Sequence, residues 1–421
     1  MNNSSLNARM NKASAILVDT LAELAQHKLR TLLTLLGMIF GVGAVIAMLN
    51  IGEGAEREAL KMLDNMGINN LIIDAKNYDE KELQEQRKHS SGLSIRDGEI
   101  AVATIPFIDA FSAKKVIETY SIFSHKGKSS GEAIGVSANF FTLSKFTLAQ
   151  GRILSKSDDD NFSQVALLGA TSAKELFPLG NAIGNNIKIN HQWFKVVGVL
   201  QAPFLKKEEF QGIKLGGEQN QVFIPLKTAL HKFPAKKLSP EISSLKLQVS
   251  HNIDPIAAAK AVSHLLQRRH NKTDDYSIVV PAALLAQQKQ TQQIFNIVMS
   301  CVAGISLLVG GIGIMNIMLA TVLERTKEIG LLRAIGATQK DIRIQFIAES
   351  FTISIMGGLL GIVFGILLSE LISVYSQWAV SWSMTAIGLS FSICTLVGLT
   401  FGVYPAIKAS KLDPIEALQS D

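Results

Sequence analysis

The stretch 294-IFNIVMSCVAGISLLVGGIGIMNIMLATVL-323 contains no charged residue and is long enough to cross a lipid bilayer as one α-helix. A helix of about 20 residues spans the hydrocarbon core of a bilayer, which is about 30 Å thick. Three other apolar stretches of suitable length run from Thr31 to Ile51, from Ile344 to Tyr375 and from Ser383 to Ile407. The sequence therefore predicts four transmembrane helices, at residues 31–51, 291–323, 344–375 and 383–407.

The composition suits a chain that is divided between lipid and water. Of the 421 residues, 48% are hydrophobic and 18% are charged, which is too apolar for a wholly soluble protein and too polar for one buried in lipid. The net charge of +6 does not indicate nucleic acid, because the basic residues do not form one patch with interleaved aromatic residues, and many of them lie at the ends of apolar stretches. Cys301 and Cys394 both lie inside apolar stretches, so residues 52–290 have no disulfide framework or cysteine metal site.

The first apolar stretch has two interpretations, a retained membrane anchor or a cleaved signal peptide. A signal peptide has an apolar region of about 7–15 residues followed by a cleavage site with small residues. Here the apolar region is longer, and it continues into Asn50-Ile51-Gly52-Glu53 without such a site. We favour the retained anchor.

The basic residues also predict how the chain is oriented in the membrane. They precede the first span, occupy the loop 324–343 and follow the last span: Lys12, Lys28 and Arg30; Arg325, Lys327, Arg333, Lys340 and Arg343; Lys408 and Lys411. Because loops rich in Lys and Arg stay in the cytoplasm, residues 1–30, 324–343 and 408–421 are predicted to be cytoplasmic. Residues 52–290 and the uncharged connection 376–382 then lie outside, with Trp378 and Trp382 at the outer interface.

Residues 13–29 carry apolar side chains at mostly helical spacing, at Ile16, Leu17, Leu21, Leu24 and Leu29. This pattern is typical of an amphipathic helix on the cytoplasmic membrane surface, with lipid as its partner. A helix that packs on a partner protein would have the same pattern.

Residues 52–290 alternate short runs with strand and helix character, which predicts a two-lobed α+β domain. The predicted strands are Asn70–Ile73, Val165–Leu168, Asn186–Asn190, Phe194–Leu200, Gln221–Ile224 and Leu245–Val249. The predicted helices are Ala55–Met66, Ile95–Thr104, Ala170–Phe177 and Ile256–Arg269, the last capped by Asp254 with Pro255. Gly127–Gly131 and Leu205–Gln219 are predicted loops. The fold class is thus four transmembrane helices, arranged one plus three, with this large extracytoplasmic domain between the first and the second.

Glycines recur within the spans at spacings that allow two helices to approach closely. They are Gly37 and Gly41; Gly357, Gly361 and Gly365; and Gly398 and Gly402. Packing among the four helices of one chain and a seam between two copies of a dimer are both open interpretations.

The sequence contains no motif that indicates an active site. A phosphate-binding loop, an H-E-x-x-H helix and a G-x-S-x-G elbow are all absent, so we predict no catalytic residue and no metal site. Gly310-Gly311-Ile312-Gly313 lies within a span, which favours close helix packing over a nucleotide loop. His264 and His270 lack metal-ligand spacing and are expected on a solvated face.

Three acidic features have competing interpretations. Asp158-Asp159-Asp160 could bind a cation, but a solvated turn is favoured. Glu349 is an intramembrane charge, for which pairing with a basic residue of the 324–343 loop is favoured over proton relay. Glu370 lies near the outer end of its span, where it can reach water.

The loop 324–343 is predicted to contain a short, well-capped helix. Glu324–Ile335 places Ile329, Leu332 and Ile335 on or near one side, with charged residues around the rest. Gly336 ends this helix, and Thr338 with Asp341 forms a capping box for the next span. A short stiff helix between two spans is expected to dock on another protein.

Four groups of residues resemble the MacB/FtsX family of ABC-transporter permeases. They are ERTKEIGLLRAIGA at 324–337, LRTLLTLLG at 29–37, YPA at 404–406 with DPIEAL at 413–418, and GVS at 135–137 with FKVVGV at 194–199. The resemblance implies a MacB-type periplasmic domain at 52–290, an inner-membrane location, and a dimer with a second permease copy or a paralogue. The family's order of spans matches the one-plus-three arrangement.

The resemblance also implies how such a chain works. The 324–343 loop would be a coupling helix that contacts an ABC ATPase subunit through Glu324, Arg325, Lys327, Glu328, Leu331 and Arg333. ATP and Mg²⁺ would be bound by that ATPase, and this chain would bind no cofactor. No fused ATPase domain precedes residue 31, so a separate ATPase subunit is expected.

Movement of the coupling helix would be transmitted to the external domain, as in an efflux-type complex with a periplasmic adaptor and an outer-membrane channel. Lipoprotein release and control of a cell-wall hydrolase are alternatives within the family. A membrane-anchored sensor is an alternative from another class. An intramembrane enzyme is disfavoured because the sequence shows no nucleophile or metal cluster.

Overall fold

A computed structural model describes residues 28–144, 146–201, 209–210, 213–214, 218–376 and 382–419. Trp378 therefore lies outside the described residues, and so do all but the last two residues of the predicted amphipathic helix at 13–29. Most of the predicted loop Leu205–Gln219 also lies outside them. The chain forms two compact units. We call residues up to 58 and from 289 onward the membrane unit, and residues 59–288 the sheet unit.

Four helices are long and apolar enough to cross a membrane, as the sequence predicts. They are α1 (Lys28–Met66), α9 (Pro281–Glu324), α11 (Gln339–Ser376) and α12 (Met384–Ser410). Two short helices accompany them, α10 (Thr326–Ala334) and α13 (Pro414–Gln419). The helices extend beyond the predicted spans because hydropathy marks the lipid-crossing segment, whereas a helix continues through polar residues until a cap ends it.

The sheet unit combines short helices with many strands. Its helices are α2 (Glu80–Gln86), α3 (Ile95–Thr104), α4 (Phe140–Leu143), α5 (Lys156–Asp160), α6 (Ala170–Leu176), α7 (Leu226–Lys232) and α8 (Pro255–Arg269), with a 3₁₀ turn at Glu218–Asn220. Its strands are β1 (Asn70–Ala75), β2 (Ile108–Val116), β3 (Ile122–Phe123), β4 (Lys128–Ser129), β5 (Ala133–Val136), β6 (Leu148–Gly151), β7 (Val165–Leu168), β8 (Asn186–Ile189), β9 (Gln192–Leu200), β10 (Glu209–Phe210), β11 (Ile213–Lys214), β12 (Val222–Pro225), β13 (Ser244–Val249) and β14 (Tyr276–Val279).

Twelve of these strands form one sheet in the order β14-β1-β13-β2-β5-β12-β7-β9-β8-β3-β4, with β6 paired to β9, and β10 pairs with β11. Each of the first four strands is antiparallel to its neighbours, and with α3 and α8 they form a βαβ–βαβ lobe of ferredoxin-like order. The remaining strands form the second lobe, which joins the first through the β2–β5 pair. The prediction of a two-lobed α+β domain is confirmed.

Each lobe has its own apolar core. In the first lobe, Leu71 and Leu245 of the sheet pack with Val262 of α8. In the second lobe, Ile187 and Val196 pack with Leu176 of α6, and Phe141 and Phe223 belong to a further cluster on this lobe. Every predicted strand and helix of this unit is present, with ends that differ by a few residues except for α1, which begins well before the predicted Ala55.

Local sequence explains where the helices of the first lobe begin. Asp97 accepts hydrogen bonds from the backbone N–H and the hydroxyl of Ser94, which caps α3. Asp254 accepts a hydrogen bond of 3.1 Å from the N–H of Ile256, and Pro255 occupies the first position of α8. The predicted cap of α8 is therefore confirmed.

Candidate functional site

The short helix α10 is the candidate functional site of the membrane unit, and a glycine follows its last turn. It spans Thr326–Ala334, slightly less than the predicted Glu324–Ile335. Gly336 follows with a φ of 113°, a conformation that favours glycine. The Thr338 hydroxyl and N–H both donate to Asp341, and Asp341 N–H donates back to the Thr338 hydroxyl. The predicted stop and the predicted capping box are both confirmed.

One face of α10 packs against the C-terminal helix α13. Ile329 and Gly330 are buried, and a Cβ placed on Gly330 would lie 2.8 Å from the Cβ of Ala417. Only glycine therefore allows α10 and α13 to approach this closely. Sequence reasoning did not assign a structural role to α13, although its Asp413-Pro414 start resembles a helix cap; the side chain of Asp413 accepts a hydrogen bond from the N–H of Ile415.

Arg333 attaches the end of α10 to the end of α12. Its Nη1 donates to the carbonyl oxygens of Leu412 (2.6 Å) and Ser410 (3.2 Å). Arg343, in the first turns of α11, donates through Nε to the Ser410 hydroxyl at 2.9 Å. The carbonyl of Ser410 at the C-terminus of α12, and that of Leu412 just beyond it, thus receive a cationic donor from Arg333, which is favourable at that end of a helix. Ser410 is a supporting residue that sequence reasoning missed.

Arg325 attaches the start of α10 to α11. Its Nη1 lies 3.2 Å from a carboxylate oxygen of the buried Glu349, and its Nε lies 3.9 Å from Glu328. The predicted pairing of Glu349 with a basic residue of the loop is confirmed. Because a buried carboxylate without a partner is costly, this ion pair holds the two helices in one arrangement.

The opposite face of α10 is exposed and mixes charged with large apolar side chains. Glu324, Lys327 and Glu328 are exposed, and so are Leu331, Leu332 and Ile335, by 53%, 43% and 76%. The expectation that Ile329, Leu332 and Ile335 share one side is wrong: Ile329 faces inward and the other two face outward, because α10 turns its Ile329–Gly330 edge towards α13. We call these six exposed residues the outer face of α10, although Glu324 ends α9 and Ile335 directly follows α10.

The predicted coupling residues thus fall into two groups. Glu324, Lys327, Glu328 and Leu331 lie on the outer face, where another protein can reach them. Arg325 and Arg333 are half-buried and bind α11 and the end of α12. Contact of all six with an ATPase stays a prediction.

The predicted glycines all lie where helices of this chain meet. Gly37 and Gly41 face Gly310 and Leu307 of α9, while Gly357, Gly361 and Gly365 face Met38, Val42 and Gly43 of α1. Gly398 and Gly402 face Ser354 and Ser350 of α11. Gly310 also packs on α1 and Gly311 on Phe401, as expected for helix packing. These glycines therefore contribute to packing among helices of this chain, and a seam between two copies stays a prediction.

One correction concerns His270, which was expected on a solvated face; only His264 is exposed. The His270 side chain is 3% exposed, with Nδ1 2.8 Å from Asp275 and Nε2 3.4 Å from Asp97. Burial, the largest influence, lowers the pKa of His270, but the hydrogen bonds to Asp275 and Asp97 outweigh it and raise that pKa to about 9. Arg269 also binds Asp97, so the cluster joins α3, the end of α8 and the start of β14.

A second correction concerns Asp158-Asp159-Asp160, expected as a solvated turn. Asp158 is buried and accepts two hydrogen bonds from Arg152, at 2.6 and 2.9 Å, which hold the pKa of its carboxyl well below the usual range. Asp159 accepts from the Lys227 N–H, and Asp160 pairs with the Lys227 ammonium at 2.6 Å. All three carboxylates thus have protein partners. Among the described residues, no cluster of three His, Cys, Asp or Glu could hold a metal ion. Glu370 is exposed.

Comparison with known proteins gives consistent matches over nearly the whole chain. The family model of the MacB-like periplasmic core domain matches residues 31–265, and that of the FtsX-like permease C-terminal region matches residues 300–414. The chain is 35% identical over 408 residues to the macrolide export ATP-binding/permease protein MacB of Bdellovibrio bacteriovorus. This alignment covers 94% of this chain and 60% of that protein.

A second relative is the pyoverdine export ATP-binding/permease protein PvdT of Pseudomonas aeruginosa, 34% identical over 94% of this chain and 57% of its own length. The chain therefore spans less than two thirds of the length of these curated relatives. The solved periplasmic region of MacB from Actinobacillus actinomycetemcomitans matches 55% of this chain and 95% of its own, with 21% identity and a TM-score of 0.43.

Proposed function

We propose, from the premise that this chain belongs to the family of permeases with a MacB-like periplasmic core domain and an FtsX-like C-terminal region, that it couples ATP hydrolysis by an ABC ATPase to movements of the sheet unit. The chain would be the membrane part of an efflux-type transporter, in the inner membrane and with both termini in the cytoplasm. ATP and Mg²⁺ would be bound by the ATPase and not by the residues described.

The observation that carries this proposal is the construction of α10. Leu331, Leu332 and Ile335 expose large apolar side chains on a short helix surrounded by charged residues. Exposed apolar side chains that are grouped and rimmed by charge mark a surface for another protein. The outer face of α10 is therefore the proposed contact with the ATPase.

The inner attachments of α10 support a mechanical role. Arg325 ties α10 to Glu349 of α11, and Arg333 ties it to the last carbonyls of α12. Because both ends are fixed to membrane helices, a force on the outer face would reach two spans. A helix held only by its loop connections would absorb the same force locally.

The proposed partners follow from the family. The two relatives above are named ATP-binding/permease proteins, which supports an ATPase as the partner of the outer face. A second permease copy or a paralogue, together with a periplasmic adaptor and an outer-membrane channel, completes the proposed assembly.

The proposal is tested by purifying the chain from native membranes in mild detergent, identifying ATP-binding proteins by mass spectrometry and measuring ATP hydrolysis. We expect a near-stoichiometric ABC ATPase. Leu331→Glu should reduce its recovery at least about tenfold, because it places a charge at the centre of an apolar contact. Glu328→Arg should lower coupled hydrolysis without loss of folded protein.

Leu179→Glu is the matched control, since Leu179 is 88% exposed but lies in the sheet unit. It should leave ATPase recovery unchanged. Repeated purification of an intact chain with no ATPase would overturn the proposal and favour the sensor, whereas equal recovery with both Leu→Glu variants would move the contact away from α10.

A further inference from the structure

Strand β14 lies at one end of the large sheet, with one edge unpaired among the residues that the structure describes. It pairs with β1 alone, in antiparallel register, with Ile72 opposite Val279 and Asp74 opposite Ser277. An edge strand presents a row of backbone donors and acceptors to whatever lies beside it. Its outer edge is therefore a possible site for one more strand.

The hydrogen bonding of β1 determines which residues face that outer edge. The N–H of Lys76 donates to the carbonyl of Asp275 at 3.0 Å, so Asp275 directs its backbone towards β1. In an antiparallel pair, successive residues alternate between inward and outward backbone groups. Ser277 and Val279 therefore also bond inward, whereas Tyr276 and Ile278 direct their N–H and C=O groups outward.

A groove of about 470 Å³ runs between β14 and helix α8. Tyr276, Ile278 and Val280 line it from the strand side, as expected for side chains on one face of a strand. Ala259, Ser263 and Gln267 line it from α8, whereas Ala258, Val262 and Leu266 on the neighbouring face of α8 are buried in the core. The groove thus offers partly apolar walls to side chains of an added strand.

The rim of the groove is basic. Lys260 and Lys272 supply its positive charge, and Asp274, its acidic residue, is neutralised by an ion pair with Lys76. Opposite charge across an interface guides association, and like charge opposes it. Pairing with the same edge of a second copy would bring two basic rims together, so the charge favours an acidic occupant.

We propose that the outer edge of β14 and the adjoining groove bind an extended acidic segment of a partner protein as an additional antiparallel or parallel strand. Tyr276 and Ile278 would supply main-chain hydrogen bonds, and the groove would take alternate apolar side chains. The lysines of the rim would select acidic flanking residues. This mode of recognition combines main-chain affinity with side-chain specificity.

The proposal is tested with the full chain in nanodiscs and a synthetic probe, a fluorescent peptide of alternating valine and threonine with glutamates at both ends. We expect saturable binding by fluorescence anisotropy, about tenfold tighter than for the same peptide with terminal lysines. Lys260→Glu with Lys272→Glu should reverse that preference. On binding, amide hydrogen exchange should slow at Tyr276 and Ile278 and change little at Ser277 and Val279.

Two variants of one residue separate backbone pairing from side-chain contact. Ile278→Pro removes an outward N–H, and proline is tolerated where the N–H of an edge strand faces away from the sheet. Ile278→Ala loses the same apolar side chain but keeps that N–H. We expect the proline variant to bind the probe several-fold more weakly than the alanine variant, up to about tenfold for one hydrogen bond.

Equal affinity for acidic and basic probes, or binding without slower exchange at Tyr276 and Ile278, would overturn the proposal. Slower exchange that depends on protein concentration in the absence of peptide would identify a second copy as the occupant and overturn it as well. If Ile278→Pro unfolds the sheet unit, the lysine reversal and the exchange measurement still decide the question.

Discussion

At the scale of single residues, His270 shows how a charge is held inside the sheet unit. Its imidazole lies between Asp97 and Asp275, and Arg269 adds a second cation at Asp97. Burial, the largest influence, raises the pKa of the Asp97 carboxyl. Hydrogen bonds from His270, Arg269 and Ser94 outweigh burial and hold that pKa well below the usual range. All of these groups are therefore ionised at neutral pH.

The raised pKa of His270 predicts a loss of stability at alkaline pH. The pKa is about 9 in the folded protein and about 6.5 in an unfolded chain. The contribution of the protonated ring is therefore complete below pH 6.5 and is lost as the pH rises through 9. It amounts to about 3 kcal/mol. We expect the urea concentration at the unfolding midpoint of the full chain in detergent to decrease as the pH is raised from 6.5 to 9.5. Unfolding is measured by the fluorescence of Trp193, in a variant that carries Trp378→Phe and Trp382→Phe.

His270→Gln should be less stable at pH 6.5 and nearly independent of pH in this window. His264→Gln is the matched control, because His264 is exposed on the same helix, and it should retain the slope of the unsubstituted protein. At the acidic end, the lowered pKa values of Asp97 and Asp275 predict stability that is lost as the pH falls below about 4. An alkaline slope that persists in His270→Gln would contradict this account.

The same cluster shows what could not be read from the sequence. Asp275 lies only five residues after His270, but Asp97 is 172 residues away from Arg269, so the sequence around His270 does not indicate that a second carboxylate lies beside the ring. The ion pair of Glu349 was easier to predict, because a single carboxylate is conspicuous in an apolar span and Arg325 lies in the adjoining loop. Residue partners were predictable only where the chain itself brings them close.

At the scale of elements, helix contacts in the membrane unit depend on glycine. A Cβ on Gly365 would lie 2.9 Å from the carbonyl oxygen of Gly43 and 3.0 Å from the Gly43 Cα. Both atoms belong to the backbone of α1 and cannot move aside as a flexible side chain can. Apolar driving force between helices is weak in lipid, so close approach of this kind supplies much of the packing.

Gly365→Ala should therefore destabilise the membrane unit by about 1–3 kcal/mol, the range for overpacking a close contact. Gly304→Ala is a matched control, because a Cβ there meets no atom within 4 Å. Both changes add the same helix propensity, so their difference reports the contact alone. We measure the temperature at which half of the protein remains monodisperse in detergent. We expect it to be roughly 5 °C lower for Gly365→Ala than for Gly304→Ala. Equal values would contradict the packing role.

Elements with a strong local pattern could be predicted, and those without one could not. The long apolar runs identified all four candidate spans, and Ile95–Thr104 was predicted at its observed bounds. Strand β2 was missed because its sequence IDAFSAKKV does not alternate: Ser112 and Ala113 are adjacent and both buried, and two lysines follow. Helix α13 was not predicted because it is only six residues long, and its contact with Gly330 joins segments that are distant in the sequence.

At the scale of the whole molecule, orientation in the membrane decides whether the proposed function is physically possible. The proposal requires the outer face of α10 to lie on the cytoplasmic side, where ATP is, and the sheet unit to lie on the other side of the membrane. The loop 324–343 and the segments outside the first and last spans carry the lysines and arginines that retain a segment in the cytoplasm. Four spans place both termini on the same side as that loop.

This orientation is testable with single cysteines. In a background with Cys301→Ser and Cys394→Ala, the exposed positions Lys174 and Lys340 are replaced individually by cysteine. A membrane-impermeant maleimide added to intact spheroplasts should label Lys174→Cys and not Lys340→Cys. Lysis should then make Lys340→Cys reactive, together with Lys411→Cys behind the last span. Labelling of Lys340→Cys before lysis would place α10 outside, away from any ATP, and the coupling proposal would fail even though the family assignment would stand.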